Sequence, residues 1–137
     1  MTSGAADPGV VIVGGGQAGV DAAFALRMSG YLGELTVLSG ENEVPYRRPQ
    51  LSKEYLDPAG PQDVARLRTL ESYEDKGVSL RLGCRVESID RGGRRVRVDD
   101  GGFLAYDRLV LATGASLRTL PLPAADVAGV HGVRSLG

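Results

Sequence analysis

The 137-residue sequence contains no tryptophan, one cysteine and one histidine, and each scarcity removes a class of function. Without tryptophan, no indole ring is available as a stacking platform for a ligand. Cys84 has no second cysteine to pair with, so the sequence holds neither an internal disulfide nor the cysteine pair of a disulfide reductase. His131 has no second histidine with which to build a histidine-based metal site. We therefore predict no metal site, and we interpret Cys84 as a buried or half-buried bystander thiol.

Long apolar runs and an excess of charge of one sign are also missing. No apolar run approaches the ~20 residues that a membrane-spanning helix needs, so we expect no membrane segment. The 16 basic and 17 acidic residues give a net charge of −1 without a basic stripe, which argues against nucleic-acid binding. Residues 1–9 lack the charged and apolar regions of a signal peptide. We predict a disordered lead-in over these nine residues and a cytoplasmic location.

Glycine is abundant, and its most informative cluster directly follows an apolar, β-branched run. Val10–Val13 predicts a strand buried on both faces, and Gly14, Gly16 and Gly19 then match the spacing G-x-G-x-x-G. Gly14 would allow the tight turn, Gly16 would let a pyrophosphate approach the backbone, and Gly19 would let the next helix pack closely. The alternative interpretation is a purely structural turn between a strand and a helix.

A helix and a second strand complete the expected β-α-β unit. The sequence predicts a helix over residues 17–29 and a strand over residues 35–38. We expect the helix to face the sheet through small and apolar residues, namely Ala18, Ala22, Ala25 and Leu26. An acidic residue at the end of the second strand would accept the hydroxyls of a ribose, and Glu41 is the best candidate, with Glu43 in reserve. Two solvated loop carboxylates are the alternative.

Three cations follow within seven positions. Pro45 and Pro49 hold residues 44–49 extended, so Arg47 and Arg48 lie in an extended stretch. A short helix that begins at Gln50 or Ser52 and ends near Leu56 would contain Lys53. A cluster of charges is commonly a solvated surface, but this one follows the second strand and so falls at the carboxyl edge of the sheet, where ligands bind in open α/β folds. An arginine fork there suits a phosphate, and a lysine suits a developing anion.

The second half of the chain predicts a short helix, several strands and a final glycine turn. We expect a surface loop over residues 57–69 and a helix over residues 69–76, and the expected strands span residues 78–82, 86–90, 95–98, 103–106 and 109–112. The middle three form an antiparallel β-meander inserted into a parallel sheet. Gly114, after the last strand, permits either close approach of a ligand or a plain turn.

Three motifs, in this order, resemble those of the FAD-dependent pyridine-nucleotide oxidoreductases, in particular the branch of ferredoxin and rubredoxin reductases. They are VIVGGGQAG at residues 11–19, PYRRPQLSK at residues 45–53 and YDRLVLATG at residues 106–114. The resemblance implies an α/β, Rossmann-like FAD-binding fold. It implies FAD contacts at Gly14, Gly15, Gly16, Gln17, Ala18, Gly19, Gly40, Glu41, Arg48, Lys53, Val86, Ala112, Thr113, Gly114 and Arg134.

The resemblance also implies roles for some of these residues. Arg48 would contact the adenosine-diphosphate half, Val86 would hold the adenine side through its backbone, and Lys53 would lie beside the isoalloxazine. The family usually has Gly-Asp-Glu where this chain has Ser39-Gly40-Glu41, so either Glu41 or the backbone near Gly40 would meet the ribose.

The expected function is that of a reductase, or of its FAD-binding portion, that passes electrons from NAD(P)H through FAD to a ferredoxin-type iron–sulfur protein. Residues 10–115 would be the first segment of the FAD domain, and residues 116–137 would lead toward an NAD domain outside this sequence. A second chain or C-terminal domains would complete the enzyme. A non-catalytic dinucleotide-binding module, or a truncated fragment without turnover, is the alternative.

Overall fold

The structure is a computed structural model that describes residues 8–59, 65–118 and 129–136. Within these residues the parallel strands and the helices are β1 (Val10–Val13), α1 (Gln17–Met28), β2 (Leu35–Leu38), α2 (Leu70–Asp75), β3 (Ser79–Arg81) and β7 (Arg108–Leu111). The antiparallel strands are β4 (Val86–Asp90), β5 (Arg95–Val98) and β6 (Phe103–Ala105). Short 3₁₀ helices span Arg48–Ser52 and Glu54–Leu56. Most of the predicted lead-in, residues 1–7, and residues 119–128 and 137 of the predicted linker lie outside the described residues.

The four-stranded sheet is parallel and has the order β3-β2-β1-β7. Strand β1 lies at its centre and is buried along its whole length, as its β-branched sequence predicts. The chain moves from β1 outward to β2 and β3 and then returns to the other side of β1 with β7. The direction of strand order therefore reverses at the carboxyl end of β1, which is where open α/β sheets bind ligands.

Each face of the parallel sheet is covered by a separate apolar layer. On one face the helices pack against the sheet around Ile12, Phe24 and Tyr73. On the other face the antiparallel sheet, in the order β4-β5-β6, packs Val96 and Val98 against Val11 and its neighbours. The expected α/β fold with an inserted antiparallel meander is thus confirmed.

The face that α1 turns toward the sheet agrees with the prediction only in part. The buried residues of α1 are Gly19, Val20, Ala23 and Phe24. Of the predicted residues, Ala22 and Leu26 are partly buried and pack against this core, whereas Ala18 and Ala25 are exposed. The close approach of Gly19 to β1 sets the rotation of the helix, because a Cβ at Gly19 would collide with the carbonyl oxygen of Gly14 and lie 3.3 Å from Ile12.

Other elements follow the prediction to within one or two residues. Helix α1 ends before Gly30 and helix α2 before Gly77, and both glycines have positive φ, 89° and 61°. None of the helices in the described ranges is long and apolar enough to cross a membrane.

Candidate functional site

A cleft of about 880 Å³ opens at the carboxyl ends of β1, β2 and β7. Its volume lies within the range of roughly 300–1,000 Å³ that is typical of small-molecule sites. Its lining includes all but two of the predicted cofactor-binding residues: Gly14, Gly15, Gly16, Gln17, Ala18, Gly40, Glu41, Arg48, Val86, Ala112, Thr113, Gly114 and Arg134. The fold therefore brings together five parts of the sequence, namely residues 14–18, 40–48, 86, 112–114 and 134.

The glycine turn after β1 forms one wall of the cleft. Gly14 has φ +121°, and a Cβ there would collide with the carbonyl oxygen of Ala112. At Gly16, by contrast, a Cβ would meet no atom within 4 Å, so its backbone faces open space. The bare backbone at Gly16 is thus accessible to a bound molecule.

The N-terminus of α1 begins at this open position. Gly16 is the N-cap residue, no side chain caps the helix, and the first turn contains no acidic residue. The first intrahelical bond runs from the Val20 amide to the Gly16 carbonyl at 3.0 Å. The amide groups that precede Val20 therefore remain available for an anion, and the helix dipole favours negative charge there.

Glu41 lines the cleft and is held by two side chains. The Tyr46 hydroxyl donates to Glu41 Oε2 at 2.6 Å, and Arg48 forms an ion pair with Glu41 Oε1. Burial alone would raise the pKa of Glu41, but these hydrogen bonds and the charges of Arg48 and Arg134 outweigh it and lower the pKa. The pKa of Tyr46 is raised by burial and by its bond to Glu41. Glu41 is thus an oriented, ionised carboxylate, whereas Glu43 is exposed and lies outside the cleft lining.

Residues 134–136 return to the same network from the far end of the chain. Arg48 Nη1 donates to the Arg134 carbonyl at 2.7 Å, and the Leu136 amide donates to the Tyr46 hydroxyl at 3.2 Å. Arg134 Nε donates to the Ala115 carbonyl at 2.6 Å, which places its guanidinium beside Gly114. Arg48 thus connects the carboxylate of the cleft to the segment that covers one side of it.

The stretch that carries Arg48 is fixed by a pairing that the sequence did not reveal. The Arg47 amide donates to the Ala65 carbonyl at 2.9 Å, and the Leu67 amide donates to the Pro45 carbonyl at 2.8 Å. Residues 57–69, predicted as a surface loop, therefore include a short segment that pairs with residues 45–47, and Leu67 is buried. Residues 60–64 of that loop lie outside the described residues.

Two of the predicted site residues do not line the cleft. Gly19 lies behind the wall, where it packs α1 against β1. Lys53 is exposed and follows a 3₁₀ turn whose buried residue, Leu51, packs with Tyr46 and Leu136. Because Leu51 fixes the inward side of this turn, Lys53 two residues later lies on its outer side.

The cleft also contains residues that the sequence analysis did not assign to it, among them Ser39, Cys84 and Arg85. Cys84 is half-buried, as predicted, and burial raises the pKa of its thiol. The charged residues of the lining are three arginines, Arg48, Arg85 and Arg134, and one carboxylate, Glu41. The cleft thus has an excess of two positive charges. Across the described ranges, no group of three or more His, Cys, Asp or Glu side chains could hold a metal ion.

Comparison with known proteins identifies relatives over nearly the whole chain. Rhodocoxin reductase of Rhodococcus erythropolis is 43% identical over 128 residues, which cover 93% of this chain and 30% of that protein. A rubredoxin-NAD(+) reductase of Pseudomonas putida is 42% identical over 127 residues, which cover 93% of this chain and 33% of that protein. The chain therefore spans about a third of the length of these relatives.

The same relationship is seen among solved structures. The covalent complex of putidaredoxin reductase with putidaredoxin contains a chain that is 43% identical, with a TM-score of 0.76, over 88% of this chain and 28% of that one. A ferredoxin reductase for the CYP199A2 system of Rhodopseudomonas palustris gives a TM-score of 0.79 at 37% identity, with 88% and 30% covered. Residues 8–137 match the pyridine nucleotide-disulphide oxidoreductase family. This match, together with the glycine turn and the cleft, shows that the chain belongs to the pyridine nucleotide-disulphide oxidoreductase family.

Proposed function

We propose that this chain is the FAD-binding portion of an NAD(P)H-dependent reductase that passes electrons through FAD to a ferredoxin-type iron–sulfur protein. The observation that carries the proposal is the open backbone at Gly16, at the uncapped N-terminus of α1. The relatives, which include ferredoxin and rubredoxin reductases, support the choice of electron acceptor. The activity and partners of the complete protein are part of this proposal.

The residues of the cleft fit a dinucleotide in shape and in charge. The diphosphate of FAD carries two negative charges, and the excess of two positive charges in the lining would balance them. The amide groups at the start of α1 would bind the phosphate oxygens, and Gly16 would let them approach the backbone. When bound, FAD supplies the chemistry of hydride and single-electron transfer.

The chain's own residues would bind and orient that cofactor. Glu41 is ionised and oriented by Tyr46 and Arg48, so its remaining lone pairs would accept hydrogen bonds from ribose hydroxyls. Arg48 would contact the adenosine-diphosphate half of FAD. The remaining contacts of this proposal come from Gly14, Gly15, Gln17, Ala18, Gly40, Val86, Ala112, Thr113, Gly114 and Arg134, which line the cleft.

The role of Lys53 stays a prediction from the sequence. It is exposed and outside the cleft lining, and the adjoining turn is held by Leu51. In the complete protein we propose that its ammonium group would stabilise negative charge on the bound flavin. A cytoplasmic location likewise stays a prediction.

Substitution of Gly16 by valine tests the site directly. The valine side chain would fill the space into which the backbone of Gly16 opens, while its φ of −80° and extended ψ suit a β-branched residue. We expect Gly16→Val to lose at least roughly ten-fold in affinity for FAD and for ADP, with little change in the free energy of unfolding. Titration followed by flavin absorbance, with ADP as competitor, measures this.

Gly92→Val is the matched control. Gly92 lies in the exposed turn between β4 and β5, where a Cβ would meet only a side-chain oxygen of Asp90 at 3.6 Å. Unchanged affinity in Gly16→Val would refute the placement of the diphosphate. A chain that binds ADP but not FAD would instead be a non-catalytic nucleotide module, and a chain that binds neither would overturn both functions.

A further inference from the structure

An unpaired arginine lines the cleft next to the end of β2. Arg85 is exposed, and its guanidinium donates no hydrogen bond and forms no ion pair within the part of the chain that the structure describes. This differs from Arg48 and Arg134, which bind Glu41 and the Ala115 carbonyl. A charged group with no protein partner, in a cleft with excess positive charge, is available to a ligand.

The side chain of Arg85 is placed against Gly40. A Cβ at Gly40 would lie 3.9 Å from Arg85 Cβ and 4.0 Å from both Nε and Nη2. These are ordinary van der Waals distances, so the side chain of Arg85 runs close to position 40. The guanidinium of Arg85 therefore lies beside Gly40, where both residues line the cleft.

The backbone under this side chain is fixed on both sides. The Cys84 amide donates to the Ser39 carbonyl at 2.8 Å, which holds the segment of Arg85 beside the end of β2. On the other side, the Arg85 amide donates to Asp99 Oδ1 at 3.1 Å, and the Asp99 amide donates to the Arg85 carbonyl at 2.9 Å. Only the side chain of Arg85 is left to respond to a ligand.

The position of Arg85 along the cleft decides what it meets. A Cβ at Gly15 would lie 2.6 Å from Ser39 Cβ and Oγ, which shows that Gly15 lies directly beside Ser39. The cleft thus runs from the glycine turn past Ser39 to Gly40 and Arg85. If a diphosphate binds at Gly16, the attached ribose lies near Ser39 and Glu41, and the base reaches the end that Arg85 occupies.

We propose that Arg85 binds the adenine ring of the cofactor by stacking its guanidinium on the face of the base. The proposal rests on the proposed dinucleotide-binding function and adds a residue that the family resemblance does not supply. A guanidinium is planar and weakly hydrated, so it stacks on aromatic rings better than an ammonium group does. Stacking predicts that Arg85 contributes to the binding of the base and not to that of the phosphates.

Two probes separate these contributions: ADP, which carries the base, and inorganic pyrophosphate, which does not. We expect Arg85→Ala to weaken the affinity for ADP by about five- to thirty-fold, which is the effect of one desolvated cation–π contact. The affinity for pyrophosphate should stay within about two-fold of the wild-type value. Isothermal titration calorimetry of the wild-type chain and the variant measures both constants. Retained pyrophosphate binding also shows that the variant is folded.

Arg81→Ala is the control for the lost charge. Arg81 is an exposed arginine on β3 and lies outside the cleft lining. Its removal should therefore leave the affinities for ADP and pyrophosphate within about two-fold of the wild-type values. An equal loss of ADP and pyrophosphate in Arg85→Ala, or no loss of either, would overturn the stacking proposal alone. A wild-type chain that binds neither probe would overturn the proposed function, and the stacking proposal with it.

Discussion

Tyr73 places a polar group inside the helical side of the core. It is 1% exposed, and its ring packs edge-on against Phe24 with the centroids 5.4 Å apart. Its hydroxyl is buried without a hydrogen-bond partner among the residues that the structure describes. Burial disfavours the charged phenolate, which raises the pKa of Tyr73 from 10.0 to about 12. A buried hydroxyl of this kind costs free energy that a phenyl ring would not.

We therefore expect Tyr73→Phe to raise the free energy of unfolding by about 1 kcal/mol at neutral pH. A second difference should develop in alkali. Because the folded protein holds the phenolic proton more tightly than the unfolded chain, wild-type stability falls as the pH rises from 10.0 to about 12, and the variant lacks this contribution. Urea unfolding across this range measures both effects.

Tyr106→Phe is a suitable comparison, since Tyr106 is also buried, at 8% exposure, in the other apolar layer. If Tyr73→Phe were less stable than the wild type, its hydroxyl would have to be making a favourable interaction, and the assignment of an unsatisfied group would be wrong.

Single residues also show which parts of the site could be predicted. Gly14 and Gly16 act on their own turn, so a local pattern was sufficient to identify them. Tyr46 and Leu136 are 90 residues apart, and their hydrogen bond leaves no local signal in the sequence. Arg85 was missed because an isolated arginine after a turn is usually a solvated surface residue.

At the scale of elements, Arg27 connects the end of α1 to the turn between α2 and β3. Its Nη1 donates to the carbonyls of Tyr31 and Gly33 at 2.7 and 2.9 Å. Its Nε and Nη2 donate to the carbonyls of Lys76 and Gly77 at 2.9 and 2.6 Å. One guanidinium thus satisfies four carbonyl groups in two turns that are about 45 residues apart in the sequence.

Arg27→Met keeps much of the side-chain volume and removes all four donors. We expect it to lower the free energy of unfolding by about 2 kcal/mol, because hydrogen bonds to charged groups are worth more than neutral ones but these carbonyls are partly solvated. Urea denaturation gives the value. Arg91→Met, in the exposed turn between β4 and β5, should change stability by less than about 0.5 kcal/mol. Equal stability of the two variants would contradict the connecting role of Arg27.

Helix α1 itself shows where element-scale prediction reached its limit. Its bounds were predicted to within one residue, because the glycine turn and Gly30 mark its two ends. The buried face was predicted only in part: Ala22 and Leu26 pack against the core, but Ala18 and Ala25 are exposed. The alanines suggested close packing equally well on several sides. The contact of Gly19 with Gly14 fixes the rotation, and this contact is a property of the turn and not of the helix pattern.

At the scale of the whole molecule, the network built on the ion pair of Glu41 and Arg48 includes hydrogen bonds that join distant parts of the chain. Arg48 also binds the Arg134 carbonyl, and Tyr46 binds both Glu41 and the Leu136 amide. These contacts hold the described C-terminal segment against the first half of the protein. Since the pKa of Glu41 is lowered from 4.5, the folded protein favours the ionised carboxylate.

Glu41→Gln should therefore destabilise the protein by about 1 kcal/mol at neutral pH, because a neutral amide makes weaker hydrogen bonds to Arg48 than a carboxylate does. The lowered pKa means that this stabilisation is fully present above pH 4.5 and is lost as the pH falls through the folded value. The difference in unfolding free energy between wild type and variant should shrink accordingly in urea titrations at decreasing pH. Glu43→Gln, at an exposed position outside the network, should leave the free energy of unfolding unchanged at every pH of the titration. A difference that stayed constant into acid would mean that the charge of Glu41 does not stabilise this network.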